Sequence, residues 1–394
     1  MKSLFHSVIF AAVAMMAVLG CSNQSGMDGD VQIIPIRYDK FEKLDMSDII
    51  SRIEVIELEG GTEAYMGDPG KLDVENNRYY IIDDAVHSIF VFDSTGHFLY
   101  NTKSRRGRGH NEHINPNDYY IEDGKICIMD YDGTVKKYDQ SLNMVESFSA
   151  PIAGVYRDIE RLSDDIVAWS SSQDWVFYSI SNDSVIGTYK APDRRLGGIG
   201  FGRERYYQND RQVLYRFNDN GYSLYRVDKD DCTLKEAYRY KVDRDEFDAS
   251  LVDETERVSS YLTKHHRDYC ILMDMAINNR YLVSLIGYLN DDNEDVINYC
   301  LKSGNLRLSF YSLENGKQRL IENAFRGDKF ILGITGMDDT AIYTLLPVID
   351  NFTDLLPYMY DDSLIDDDSR KRIKNAGENT NALIFKYYLR DDIL

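Results

Sequence analysis

Basic residues are scarce in this chain. Its 394 residues carry 45 Lys and Arg against 66 Asp and Glu, a formal net charge of −21 at pH 7. A field of that sign repels phosphate backbones and anionic lipid surfaces, so no nucleic acid is expected as a partner. Cysteine is also scarce, with five residues, no CxxC, and no spacing that matches a zinc site. Cys127 lies within Ile126-Cys127-Ile128-Met129, a buried-strand pattern, and reads as a small core residue. In an exported protein Cys127, Cys232, Cys270 and Cys300 could pair in three ways; free buried thiols are the expectation. No Gly-x-Ser-x-Gly elbow, P-loop or dinucleotide fingerprint is present, so no catalytic residue is assigned.

Long apolar runs are missing except one. Val8–Leu19 is an unbroken stretch of 12 residues, short of the roughly 20 that span a bilayer. Lys2 is the only charge ahead of it, which suits a secretory leader. Val18-Leu19-Gly20-Cys21 ends the run, and a small residue before a Cys followed by Ser22-Asn23 resembles a bacterial lipobox. Residues 1–20 are therefore expected to be a lipoprotein signal peptide and Cys21 the site of lipid attachment. An ordinary leader with an incidental Cys is the plainer alternative. Residues 21–32, small, polar and acidic over 22–30, read as a flexible tether. Membrane contact is then expected only through the lipid, and loss of Lys2 brings the charge to −22.

The rest of the chain, 33–394, is built on a recurring unit. Arg78–Tyr100 holds three short β-branched and aromatic runs, Tyr80-Ile81-Ile82, Ser88–Phe92 and Phe98–Tyr100, broken at Asp83-Asp84 and Asp93–Gly96. That is the pattern of consecutive antiparallel strands. Lys125–Met144 repeats it, with Asp130 and Asp139 at the places of Asp83 and Asp93, and a third copy carries Asp219 and Asp228. The fold-back after the aromatic strand falls at Asp93, Asp139, Ser181, Asp228, Glu314 and Asp391. The first three intervals are 46, 42 and 47 residues, the length of a four-stranded propeller blade. The two longer intervals are read as single blades with insertions: a helical one over about 244–268, and an irregular or helical one over about 350–380. Six blades result, with eight as the alternative. Leu44–Ile50 suggests a short helix and Ser51–Leu58 a half-buried strand. Leu383–Leu389 at the far end is a natural partner for Ile53–Leu58, joining both chain ends in one blade and removing open edges.

These residues resemble the six-bladed β-propeller lipoproteins of Bacteroidetes, relatives of the NHL-type propellers. The likeness rests on IEVIELEG (53–60), IFVFDSTGHFL (89–99), RRGRGHNEH (105–113) and NALIFKYYLR (381–390). It covers about residues 50–150 and the C-terminus, and is weak between 190 and 380. Gly107, Gly109 and Glu112 fit the family's Gly-x-Gly-Pro-x-Glu loop, whereas His110 and Asn111 stand where Pro and Gly are usual. The resemblance implies an all-β propeller and an outer-membrane lipoprotein facing the periplasm or cell surface. It implies little about activity.

Arg105, Arg106, Arg108, His110, Glu112 and His113 form the densest cluster of functional side chains. Three Arg among glycines suit bidentate capture of a carboxylate or sulfate; alternatively the glycines make a blade crossover and the arginines pair with acidic neighbours. His110, Glu112 and His113 lack a third spaced ligand for zinc, and His265-His266 is a doublet whose side chains would diverge on a helix. Asp291–Asp295 and Asp366–Asp368 lack the alternating ligands of a calcium loop and read as solvated insertions. In the doublets Tyr79-Tyr80, Tyr119-Tyr120, Tyr206-Tyr207 and Tyr387-Tyr388, one ring is expected in the core and the other is free to face solvent, where it would suit sugar stacking; core packing is the expectation for most of them.

No cofactor is called for. The first functional reading is a non-catalytic binding propeller whose partner is a small molecule, a glycan or an envelope protein. The alternative is a lactonase- or NHL-lyase-like enzyme with a divalent metal in the central channel. An envelope protein hub is the third.

Overall fold

The aromatic runs become strands, and the Asp- and Asn-rich breaks become the turns between them. The structure, a computed structural model, describes residues 31–37, 40–152, 154–171, 174–190, 206–216, 222–243, 269–289, 306–323, 325–326, 329–347, 355–377 and 380–394. Two strands, β1 (Gln32–Ile36) and β2 (Ile50–Leu58), precede the first blade. That blade holds β3 (Pro69–Glu75), β4 (Arg78–Asp83), β5 (Ser88–Asp93) and β6 (Phe98–Asn101). The second holds β7 (Pro116–Glu122), β8 (Lys125–Asp130), β9 (Thr134–Tyr138) and β10 (Met144–Ser149). In the third are β11 (Tyr156–Arg161), β12 (Ile166–Ser171), β13 (Asp174–Ser179) and β14 (Ser184–Lys190). The fourth contains β15 (Tyr206–Gln208), β16 (Val213–Arg216), β17 (Ser223–Asp228) and β18 (Thr233–Val242). The fifth runs through β19 (Tyr269–Ile277), β20 (Tyr281–Leu289), β21 (Leu306–Ser312) and β22 (Gln318–Glu322). The last takes β23 (Gly336–Met337), β24 (Ala341–Pro347) and β25 (Ala382–Leu389), with β2 as its outer strand.

The chain is thus a six-bladed β-propeller. Residues Ile33–Leu394 form one compact unit. The first strand of each blade is innermost, and β7 meets β11, β15 meets β19, β19 meets β23 and β23 meets β3 around the axis. Five of the six fold-back residues sit at the turn from third to fourth strand. The sixth, Asp391, lies where β2 takes over as the outer strand; β2 and β25 pair antiparallel from Ile50↔Leu389 to Leu58↔Ala382. Between β3 and β4, Asn76 and Asn77 have φ of 51° and 59°; between β7 and β8, Asp123 and Gly124 have 51° and 71°. Those are the two-residue hairpins that Asn and Gly permit.

Each seam between blades is a separate apolar core. Tyr80, Ile82 and Ile89 meet Tyr119, Ile126 and Tyr138 between the first and second blades, while Tyr79, Ile81 and Phe90 meet Tyr343 and Ile384 between the last and first. A strand in mid-blade is covered on both faces. Core packing therefore accounts for most of the tyrosine doublets: Tyr79, Tyr80, Tyr119, Tyr120, Tyr206 and Tyr207 are all buried. Only at Tyr388 is one ring half-exposed.

Three further differences concern the edges. The fourth blade has five strands, because β1 adds outside β18. The helix expected over Leu44–Ile50 is one 3-10 turn, Met46–Asp48. In the 350–380 insertion, α1 (Asp367–Asn375) is the one α-helix among the described residues. The other proposed insertion, 244–268, lies outside the described residues.

Candidate functional site

Sheet topology sorts the connections onto two faces. Crossovers between blades, and connections from second to third strand, leave and rejoin the strands at one face, and the long ones leave it after residues 190, 242, 289 and 347. At the opposite face the turns within blades, from first to second and from third to fourth strand, have at most five residues. There the inner strands end, and they enclose a channel cavity of about 280 Å³.

Lys71, Asp73 and Glu75 of β3, Glu160 of β11, Gln208 of β15 and Asp338 after β23 line this cavity. Lys71 Nζ donates to the Tyr119 carbonyl at 2.9 Å and to Asp118 Oδ1 at 3.3 Å, and lies 3.6 Å from Asp73. Asp118 Oδ2 accepts the Ile159 amide at 2.9 Å, so this carboxylate ties the second blade to the third. Asp338 is saturated: it accepts the Thr340 and Ala341 amides at 2.7 and 2.8 Å, and the Tyr343 hydroxyl.

Glu160 is different. Its only hydrogen bond is a 3.2 Å contact from the Arg161 amide, and the neighbouring Arg161 guanidinium is committed to Glu122. Desolvation pushes the Glu160 carboxyl up to about 8; Lys71 opposes this, and Asp118 and Asp73 reinforce it. Asp73 is also raised by desolvation, although Lys71 lowers it. Its side chain keeps 31% exposure, so these acids see channel water at close range and protein beyond it. Three carboxyls, Asp73, Asp118 and Glu160, thus surround one ammonium group. Sequence reading passed over them, though KLDVE in β3 alternates charged and apolar residues. One side of an inner strand turned toward the axis gives that period.

The Arg105–His113 loop is the crossover from first to second blade. Gly109 donates its amide to Glu112 Oε2 at 2.7 Å, and a Cβ at Gly107 would lie 2.0 Å from that oxygen. The glycines make room for a carboxylate that folds back into the loop. His113 is fully buried, with Nε2 3.1 Å from both the Thr102 carbonyl and hydroxyl; burial lowers its pKa. Arg105 is half-buried, while Arg106, Arg108 and His110 are exposed. Among the described residues the structure therefore separates these six: Glu112 and His113 hold the loop, and Arg106, Arg108 and His110 face solvent.

Cys127, Cys232 and Cys270 are free thiols, Cys127 and Cys270 buried and Cys232 only half-buried. Burial pushes the Cys127 thiol up to about 12, which leaves it protonated and inert at neutral pH. Asp366 is the N-cap of α1, accepting the Ser369 amide at 2.7 Å, so this acidic run starts a helix. Cys21, Cys300, His265, His266 and Asp291–Asp295 lie outside the described residues. Among the described residues no group of three or more His, Cys, Asp or Glu is placed to hold a metal ion, and no helix is long and apolar enough to cross a membrane.

A family model described as "Domain of unknown function (DUF4934)" matches residues 31–388. The chain is similar to a solved structure described provisionally as an exported protein from Bacteroides fragilis, at 14% identity and a TM-score of 0.69, covering 91% of this chain and 100% of the other. It is similar too to a member of the duf4221 family from Bacteroides vulgatus, at 11% identity and a TM-score of 0.51, covering 86% and 98%. At those identities the likeness concerns the fold. No curated protein matches.

Proposed function

The chain belongs to the DUF4934 family, and from that premise we propose that it is an exported, lipid-anchored propeller that binds a small amine-bearing ligand, such as an amino sugar, in its channel without transforming it. Export and acylation of Cys21 are supported by the apolar leader and its Gly20-Cys21 junction. Kinship with NHL-type propellers is part of the same reading, resting on the blade pattern. The observation that carries the ligand class is Glu160, a channel carboxyl that has no ion pair among the described residues, since its cationic neighbour Lys71 is held by Asp118 and the Tyr119 carbonyl. An ammonium group placed there gains a charge-assisted hydrogen bond, and hydroxyls of the ligand find acceptors in Asp73 and Gln208. The cavity, about 280 Å³, sits at the lower end of ligand pockets, about 300–1,000 Å³.

A catalytic reading rests on the same group, since a carboxyl titrating near neutrality suits a general acid. Among the described residues no group of three or more His, Cys, Asp or Glu is placed to hold a divalent metal.

The test is a thermal-shift titration of the mature chain, whose intact mass also reports whether Cys21 is acylated, with glucosamine against glucose. At about a hundredfold its Kd, a native-state ligand stabilises by roughly 2.7 kcal/mol. Glucosamine should raise the melting temperature and glucose should not. The effect should grow with pH as Glu160 ionises and decline once the sugar's amine loses its proton, and vanish in Glu160→Gln. Equal shifts from both sugars, or a shift that survives Glu160→Gln, removes the proposal; turnover of the bound sugar turns it into the enzymatic reading.

A further inference from the structure

The face with the long connections carries a second feature, far along the inner strands from the channel cavity. Arg106 and Arg108 are exposed, and among the described residues their guanidinium groups have no ion-pair or hydrogen-bond partner. In a chain with 66 carboxylates against 45 basic residues, two exposed arginines one residue apart make a local basic site. Several other cations are engaged, Lys71 with Asp118, Lys137 with Glu122, Arg319 with Glu42 and Arg280 with Asp391.

Beside them lies apolar surface. Ile114 is 44% exposed, Tyr131 50%, Ile152 46% and Val155 62%. Hydrogen bonds show that these positions are contiguous. The Ile114 amide donates to Asp130 at 3.0 Å, next to Tyr131; the Tyr156 amide donates to the Tyr131 carbonyl at 3.0 Å; the Tyr156 hydroxyl donates to the Ile152 carbonyl at 2.5 Å. The arginine loop joins the same surface through Lys136, which donates to the Glu112 carbonyl and lies 3.7 Å from Asp130. Asp130 is buried, so the exposed carboxylate in this patch is Asp132, which accepts the Thr134 amide at 2.9 Å.

We propose that this patch, from Arg106 and Arg108 to Ile152 and Val155, docks an acidic protein segment that also carries apolar side chains. Charge complementarity selects the acid: a cationic island on an anionic molecule steers anionic partners to itself and repels the rest of their approach. The apolar residues select a polypeptide over an anionic glycan. Sugar faces stack on flat rings, and here branched Ile and Val outnumber the single Tyr. Exposed apolar area ringed by charge is the usual anatomy of a protein contact.

The experiment uses the mature chain and a fluorescein-labelled peptide that alternates Glu with Leu and Phe, followed by fluorescence anisotropy. Binding should weaken as salt rises, about tenfold or more in Arg106→Glu/Arg108→Glu, and about fivefold in Ile152→Ser/Val155→Ser. Because all four side chains are exposed, the melting temperature should not move, which separates lost docking from lost folding. An all-Glu peptide that binds equally well, or a heparin oligosaccharide that binds more tightly, overturns the proposal in favour of a plain anion site. Self-association that Arg106→Glu/Arg108→Glu abolishes overturns it in favour of a second copy of this chain.

Discussion

Most acidic residues near the blades hold the backbone in place. Asp83 accepts the amides of Gly67, Asp68 and Val86 at 2.7, 2.8 and 2.9 Å, and Asp130 accepts those of Ile114 and Asn115, so equivalent residues of two blades fasten the preceding crossover. Asp93 accepts from Thr95 and His97, Asp139 from Ser141 and Asn143, Asp228 from Asp230 and Asp231. Bonds of this kind lower the Asp139 and Asp228 carboxyls, from Asn143 foremost in one case and the Lys235 side chain in the other. Glu160 has no such support, and stability should report it. The folded chain keeps the Glu160 proton up to about pH 8, whereas an unfolded Glu releases it near about 4.3. The folded state therefore binds more protons between those values, and stability falls as pH rises through that window. Glu160→Gln removes the titration. Its melting temperature should gain on the parent's from pH 5 to pH 8 and hold a constant lead above it; parallel profiles in thermal melts would contradict this. The turn aspartates were legible because they recur at a fixed place in each repeat. Glu160 was not, since YRDIER has no feature that says which residue meets the axis.

Among elements, the terminal pairing bears most on the fold. Strand β25 lies between β2 and β24, and its Leu383, Ile384, Phe385 and Tyr387 are fully buried. They contribute to two seams, fifth–sixth and sixth–first. The outer edge of β2 is closed as well: Ile53 donates to the Leu364 carbonyl, Val55 to Ser369 Oγ, and Arg372 to the Val55 carbonyl. The segment leading into α1, with the helix itself, thus stands in for a further strand and protects the edge. Deleting residues 381–394 strips both sides of this arrangement. It should abolish cooperative melting of the whole propeller, as followed by calorimetry; a truncated chain that still melts in one sharp transition would show that the ring does not depend on its seam. IEVIEL and ALIFKYYL were readable as strands because their apolar residues are many and their flanks polar. The fifth strand QIIPI was not, being short and interrupted by Pro35, which is tolerated at a sheet edge where no partner needs its missing N–H. Doublets of Tyr did not say which ring packs where for a related reason: period-2 alternation distinguishes core from solvent only when a sheet has one wet face, and a propeller blade has two dry ones.

For the molecule as a whole, the division into two faces matters more than any single residue. Repeats in sequence report blade count, yet neither site was fully visible there. The channel cavity takes residues from all six inner strands, so no local pattern names it. The patch on the other face was half visible, through its arginines, while Tyr131, Ile152 and Val155 look like ordinary strand residues until their exposure is known. Placement at opposite ends of the inner strands makes a quantitative demand. Perturbations at sites that share no contacts add to within about 0.5 kcal/mol. Arg106→Glu/Arg108→Glu should therefore leave the glucosamine-induced thermal shift unchanged, and Glu160→Gln should leave the Kd for the acidic peptide unchanged to within about twofold. The quadruple comparison, parent, each variant and their combination, measures the coupling directly. A coupling clearly above that limit would mean that the blades move as the channel fills, so that ligand occupancy on the short-turn face is transmitted to the docking face.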